Sequence, residues 1–434
     1  MNSREAVFKA RAGRWICHLP WLCLSLFLLS ACATRPYHGT QVDSSSFLDR
    51  AITQQDRDLI VTVAVPDAEE TIELTGLDLY EQGIQPVWLK VENRGDSKAR
   101  VAMWSIDREY FSPIEVAYMN RKKFSKQGYV DMEKWFYQNG LPRNIPAGET
   151  RTGLVFTHLR AGTKGFNLVA FSNRAASDFT FFVPLKGFVA DFMEVDFANL
   201  YAESEFRDVD QSTLKEILEN ELPCCTDDPA GELKGGPINV VLVGTGMAVR
   251  RAMMRGSWLE TSVDEKVAIR ARKQQFNGRR PDAIFSQLRE DGNERIQIHL
   301  WMTRWRVNQE PVWVGEVFYY TEDKSFLSLF SEEAIEDSKL LSSFARESVT
   351  ADVDSAQQLL LQNLWYNGSL RLVGFTTGVG VVSMDEPRTG FGGVAYFTDG
   401  YRLVVFLSED ILALDEGRYI YDFMQRGFMR NLGQ

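Results

Sequence analysis

From Asp58 onward the chain is written in runs too short for most helices and too apolar for loops. "DLIVTVAVP", "QPVWLKVEN", "KARVAMWS", "TRTGLVFTHL", "GFNLVAF" and "DFTFFVP" are rich in β-branched and aromatic residues, and several alternate with period two. Turn chemistry separates them: Asn93-Arg94-Gly95-Asp96 and Ile145-Pro146-Ala147-Gly148. Only an antiparallel arrangement accepts strands so closely spaced, so residues 58–205 are expected to form an immunoglobulin-like β-sandwich. One stretch breaks the pattern: residues 113–139, helical in composition and crossed by Gly128, read as a helical insertion.

The second half has a different rhythm. Residues 209–221, "VDQSTLKEILENE", predict a helix with Asp210 as its N-cap, and "LPCCTDDPAGELKGGP" reads as a linker, so 206–236 are a helix and linker. Over 237–425 strand-like and helix-like segments alternate. A strand at 238–243 leads to a helix at about 246–275, and "ERIQIHLWMTRWRV" with "PVWVGEVFYY" forms a long hairpin. An acidic helical region follows, then a helix in "DVDSAQQLLLQNLWYNG" and strands near 370–377, 392–397 and 402–408. Helices alternating with strands, with one antiparallel hairpin, imply a mixed sheet. The fold class expected is multi-domain α+β, an antiparallel sandwich followed by a mixed-sheet α/β domain.

The first residues set an expected location. Arg4, Lys9, Arg11 and Arg14 precede an apolar stretch, Trp15 to Leu29, that is short of the roughly 20 residues a spanning helix needs. It ends in Leu29-Ser30-Ala31-Cys32, which resembles a bacterial lipobox. The resemblance implies a signal peptide over 1–31, cleavage between Ala31 and Cys32, and a diacylglycerol on the Cys32 thiol. Two acyl chains suffice for stable attachment, since each buried methylene contributes about 0.8 kcal/mol. Ala33 stands where an aspartate would favour the inner membrane of Gram-negative lipoproteins, which points to the outer membrane, facing the periplasm. Residues 32–57, polar and Ser-rich, read as a tether. The partners expected are the membrane, through the anchor, and an envelope protein.

Charge and inventory narrow the chemistry. The formal net charge is −11, and losing residues 1–31, with four basic residues and Glu5, makes it more negative by three. Such a balance argues against nucleic acid. Only His38, His158 and His299 survive processing, with Cys224-Cys225 as adjacent cysteines, so a zinc site with several such ligands is nearly excluded. No metal or cofactor is expected. The two cysteines are open to a vicinal disulfide, free thiols or an intermolecular bond.

Gly244-Thr245-Gly246, after the apolar strand, invites a phosphate-loop reading. A Walker loop would follow Gly246 with Lys and Ser or Thr, but Met247-Ala248-Val249 stand there, and Val249 occupies the place of a dinucleotide motif's third glycine. A plain strand–turn–helix connection is expected.

"PINVVLVGTGMAVRRAMMRGSW", "FNGRRPDAIFSQ", "RIQIHLWMTRW" with "PVWVGEV", and "ADVDSAQQLLLQNL" before "YFTDGYRLVV" resemble the LssY C-terminal domain family over about 236–408. In that family a Pro-Asn strand precedes a helix ending in Gly-Trp. A Gly-Arg-x-x-Asp segment, a His-bearing strand, an Asp-x-Asp helix and a Thr-Asp-Gly turn follow. Here Ser257 intervenes between Gly256 and Trp258, and Gln357 stands where the helix commonly carries Arg. The family often follows a phosphatidic-acid-phosphatase-like membrane core, whose Pro-Ser-Gly-His signature is absent from this sequence.

With its turn centred near Gln309, the hairpin would set His299 opposite Tyr319 and Thr303 opposite Gly315, with Arg304 diagonal to Glu316. Trp301, Trp305 and Trp313 read as core, and Asp352 with Asp354 as a helix N-cap pair. His299 is the second domain's one histidine, and Asp282 or Asp354 could partner it in acid–base chemistry, with Arg279 beside them. No Gly-x-Ser-x-Gly elbow supplies a nucleophile. The leading expectation is a non-catalytic binding or assembly module. The alternative is a hydrolase acting on a lipid or phosphate ester through Arg279, Asp282, His299 and Asp354.

Overall fold

The computed structural model describes residues 35–42, 45–107, 110–172, 175–263, 273–288, 294–322, 347–349, 352–390 and 395–419. The leader, Ala31 and Cys32 lie outside the described residues, as does the expected acidic helical region. Contacts divide the chain into two compact units, one of residues 1–159 and 167–179, the other of 160–166 and 180–434.

The strands before residue 185 are β1 (Ile52–Asp56), β2 (Leu59–Ala64), β3 (Ile84–Asn93), β4 (Ala99–Ala102), β5 (Asn144–Ile145) and β6 (Thr150–His158), followed by β7 (Thr163–Ser172) and β8 (Ala175–Pro184). They form two four-stranded sheets, ordered β1-β2-β3-β6 and β5-β4-β7-β8. The central pairs β3–β6 and β4–β7 are antiparallel. Asn93 ties the two sheets together, its amide donating to the Ile145 carbonyl at 3.1 Å.

Three helices interrupt the strands: α1 (Ala68–Thr75), α2 (Pro113–Met119) and α3 (Lys126–Asn139). Asp67 with Glu70, and Ser112 with Glu115, form reciprocal capping boxes that satisfy the first free amides of α1 and α2. The inserted residues 113–139 are thus two helices. Their apolar faces, with Val116, Ala117, Met132 and Phe136, pack on Trp88, Leu154 and Phe156 of the first sheet.

The tether reading of 32–57 needs correction from residue 35 on. Tyr37, Val42 and Phe47 are buried in that same cluster, and β1 pairs with β2. A Cβ on Gly128 of α3 would meet the Arg35 carbonyl oxygen at 2.8 Å, so the glycine admits this segment against the helix. Three apolar residues spaced within a polar stretch outweigh its average composition.

The second unit holds β9 (Arg207–Asp208), α4 (Gln211–Asn220), β10 (Cys225–Asp227), β11 (Lys234–Pro237), β12 (Val240–Val243), α5 (Gly246–Arg255), β13 (Leu259–Glu260) and β14 (Ala283–Leu288). After these come β15 (Glu294–Val307), β16 (Glu310–Glu322), β17 (Glu347–Val349), α6 (Val353–Tyr366), β18 (Leu370–Thr376), β19 (Arg388–Thr389), β20 (Ala395–Tyr396), β21 (Arg402–Leu407) and β22 (Arg418–Tyr419). One mixed sheet runs β13-β14-β15-β16-β12-β21-β18-β22, with β17 beside β16 and β9 beside β15. In it β12 is antiparallel to β16 and parallel to β21.

Alternation along β12 explains why it is apolar throughout. Val240 and Leu242 face a core built with α5 and α6, while Val241 and Val243 face one built with α4. A strand covered on both faces needs no polar side. Residues 206–236, read as a helix and linker, belong to this body: Leu214, Ile217 and Leu218 of α4 are core, and β10 pairs with β11. The helix expected over 246–275 stops at Arg255. Ser257, at positive φ, turns the chain so that Trp258 is buried and its indole N–H reaches Asn363 Oδ1 at 3.0 Å.

The hairpin register also differs. Asn308 and Gln309 both take positive φ, giving a two-residue turn, and a bulge between Met302 and Arg306 slips the strands further. His299 therefore faces Glu316, Leu300 faces Gly315, and Trp301 faces Val314. Thr303 fills the bulge: its hydroxyl donates to the Val312 carbonyl and accepts from the Trp305 amide. Trp301, Trp305 and Trp313 are all buried, the last on the opposite face from the first two.

Candidate functional site

The Gly244–Gly246 turn is closed by its own neighbours. Thr245 caps α5, accepting from the Ala248 amide at 3.0 Å, and its hydroxyl donates to Glu409 Oε1 at 2.6 Å. Arg251 pairs with the same Glu409 at 3.2 Å, and the Trp313 indole donates to the Gly244 carbonyl. A carboxylate thus stands beside the helix's amide end, the place an anion would take. The turn connects a strand to a helix.

Asp282 and Arg279 meet. Asp282 Oδ2 accepts from the Met302 amide at 2.7 Å and from Arg279 Nη2 at 3.2 Å. Burial pushes its pKa up to about 6, against the Arg279 charge, which lowers it. Arg279 Nη2 also donates to the Met302 carbonyl, and the Trp301 indole N–H donates to the Arg279 carbonyl. The pair therefore clamps the backbone of β15 beside its bulge.

His299 has other partners. Its Nδ1 lies 2.7 Å from Gln274 Oε1 and 2.9 Å from Glu316 Oε1, and both ring and carboxylate are buried. Burial raises the Glu316 pKa, and the His299 hydrogen bond opposes that rise. Asp354 sits elsewhere, in the first turn of α6. It accepts from Thr398 Oγ1 and the Asp399 amide, both at 2.7 Å, and so fastens the Thr-Asp-Gly turn. Burial raises its pKa as well. Asp352 is the N-cap of α6, accepting from the Ser355 amide. Among the described residues no hydrogen bond or ion pair joins His299 to Asp282, Arg279 or Asp354.

Two buried groups were not anticipated from sequence. Arg402 is fully buried and donates through Nη2 to the carbonyls of Leu222, Pro223 and Gly378; burial lowers its pKa to about 10. Gln357 donates to the carbonyls of Asn239 and Tyr401, holding β12 and β21 beneath α6.

An open site lies on the first unit. Ala99 and Val101 of β4 point inward, so Arg100 points out, and its register partners Asn144 and Phe171 share that outer face. Arg100 Nη1 donates to Asn144 Oδ1 at 3.2 Å. Arg100, Met103, Trp104, Tyr110, Arg143 and Phe171 line a cavity of about 240 Å³. Trp104 is 64% exposed and Phe171 45%. Among the described residues neither Arg100 nor Arg143 pairs with a carboxylate. No sequence motif marks the group, because β4, β7 and connecting segments distant in sequence contribute to it.

The chain is thus an α+β protein with an antiparallel two-sheet unit and a mixed-sheet unit whose central strands are covered on both faces. Residues 220–401 match the family model of the LssY C-terminus. The match begins at Asn220 and so includes the β10–β11 hairpin. No curated protein matches the chain. Among solved structures it is similar, at 11% identity, to a candidate lipoprotein from Bacillus subtilis, over 81% of this chain and 89% of that chain with a TM-score of 0.17. A superposition that poor bears on neither fold nor location. Among the described residues no helix is long and apolar enough to cross a membrane, and no group of three or more His, Cys, Asp or Glu is placed to hold a metal ion.

Proposed function

We propose that this chain is an envelope lipoprotein, anchored by acyl chains on Cys32 in the outer membrane, that works by binding rather than by catalysis. Its binding surface is the groove on the first unit. The observation that carries this reading is the exposed Trp104 beside two guanidinium groups that, among the described residues, pair with no carboxylate. Solvated ring faces and unpaired cations are what a ligand with flat apolar faces and anionic substituents requires. An acidic sugar chain has both, its ring C–H faces stacking on Trp104 and its carboxylates reaching Arg100 and Arg143. The cavity is smaller than the about 300–1,000 Å³ of sites that enclose a whole small molecule. It suits one ring of a longer chain.

The hydrolase reading has less support. Arg279, Asp282 and Asp354 each hold backbone, and His299 and Glu316 share a buried hydrogen bond.

Calorimetric titration of the mature chain in detergent with an oligogalacturonate tests the proposal. Binding that weakens with salt, that exceeds binding of the uncharged analogue, and that falls about tenfold in Trp104→Ala supports it. Equal binding of charged and neutral sugars, or preference for a proline-rich peptide, contradicts it.

A further inference from the structure

Cys224 and Cys225 are joined to each other, at a sequence separation of one. A disulfide stabilises a fold chiefly by closing a loop in the unfolded chain, and the effect grows with loop length. This one closes none. Its role must therefore lie in the chemistry of the bond.

The surroundings are asymmetric in a way that suits exchange. Cys224 is partly exposed, whereas Cys225 is buried. Arg388 and Tyr396 face each other across β19 and β20, and both reach the sulfurs. Arg388 Nη1 lies 3.9 Å from Cys224 Sγ and 3.8 Å from Cys225 Sγ, and the Tyr396 hydroxyl is 3.5 Å from Cys225 Sγ. A Cβ on Gly390 would lie 3.2 Å from the backbone of Gly235, so the β19–β20 hairpin is pressed against β11, the strand paired with β10. A cation and a hydroxyl beside the more buried sulfur stabilise a thiolate there.

We propose that Cys224–Cys225 is a redox-active disulfide that exchanges with a dithiol reductant. A thiolate of the reductant attacks the accessible Cys224 Sγ. The Cys224–Cys225 bond breaks, a mixed disulfide forms, and Cys225 leaves as a thiolate held by Arg388 and Tyr396. A lower leaving-group pKa speeds that departure. The reductant's second thiol then attacks its own sulfur in the mixed disulfide, freeing Cys224. The reductant departs as a disulfide, its two electrons are on the protein's sulfurs, and its two protons complete the thiols.

The same segment reaches the interior. Leu222 and Pro223 carry two of the Arg402 hydrogen bonds, the Cys224 carbonyl accepts from the Ile238 amide, and the Thr226 hydroxyl lies 3.4 Å from Glu316 Oε2. Opening the bond relaxes the stretch that anchors these groups. This inference is independent of the groove.

The test uses the full mature chain, native, incubated with dithiothreitol, quenched with N-ethylmaleimide and read by mass spectrometry of the peptide holding residues 224 and 225. The proposal expects no label without reductant, two labels after brief native reduction, and a rate about tenfold lower in Arg388→Gln, as loss of about 1.4 kcal/mol of leaving-group stabilisation gives. It also expects Cys224→Ser/Cys225→Ser to keep the thermal midpoint within a few degrees. Labelling without reductant, reduction only after unfolding, an unchanged rate in Arg388→Gln, or a collapse of the midpoint in the double serine variant would each overturn it.

Discussion

His299 and Glu316 face each other across β15 and β16, with Nδ1 2.9 Å from Oε1 and neither side chain more than 2% exposed. Deleting one member of such a buried pair leaves the other without its partner, at a cost of about 3–5 kcal/mol. Glu316→Ala is expected to lower the urea unfolding free energy of the second unit by that order. Glu316→Gln keeps an acceptor for the ring and should cost clearly less. Equal losses in the two variants would show that the hydrogen bond does not matter.

Burial pushes the Asp191 carboxyl up to about 8 from an ordinary 3.8. Between those values the folded state holds a proton that the unfolded chain has lost, so stability is full below about pH 4 and declines as pH rises through about 8. The group alone should remove several kcal/mol across that window, on the order of 1.4 per unit. Asp191→Asn should flatten the decline when urea midpoints are compared at pH 5 and pH 9. A variant that keeps the wild-type slope would assign the dependence elsewhere.

Arg279→Ala strips a buried carboxylate of its cation and the Met302 carbonyl of a donor. A loss of about 3–5 kcal/mol is expected. Arg279→Ala combined with Asp282→Asn should recover part of it, since the unpaired charge is gone. A double variant less stable than the single one would contradict a clamp built on that ion pair.

Cys32→Ser should release the chain from membranes into the soluble fraction, and mass spectrometry of the wild type should find acylated Cys32 as its first residue. A soluble wild type, or an unmodified first residue, would remove the anchor from the account.

Much of the architecture was legible because it follows local rules. The β12 run predicted a strand, Asp210 predicted the cap of α4, and the tryptophans of the hairpin predicted core. The hairpin register was not legible. A bulge leaves no period in the sequence, and Thr303, which replaces ladder hydrogen bonds there, looks like any strand threonine. That slip hid the Glu316 partnership with His299. The packing of Tyr37 and Phe47 was missed because composition averages over a segment, whereas burial is decided residue by residue. The groove was missed since Trp104, Arg143 and Phe171 converge only after β4, β5 and β7 pair.

On the proposed function, ligand binds at the groove of the first unit, while Arg279, Asp282, His299 and Asp354 of the second unit hold structure. Affinity for an acidic oligosaccharide, measured side by side in two double variants of matched folding, tests it most directly. Trp104→Ala/Arg143→Ala is predicted to bind at least about tenfold more weakly, while His299→Gln/Asp282→Asn stays within about twofold of the wild type. Retained binding in the first variant with loss in the second would contradict the account.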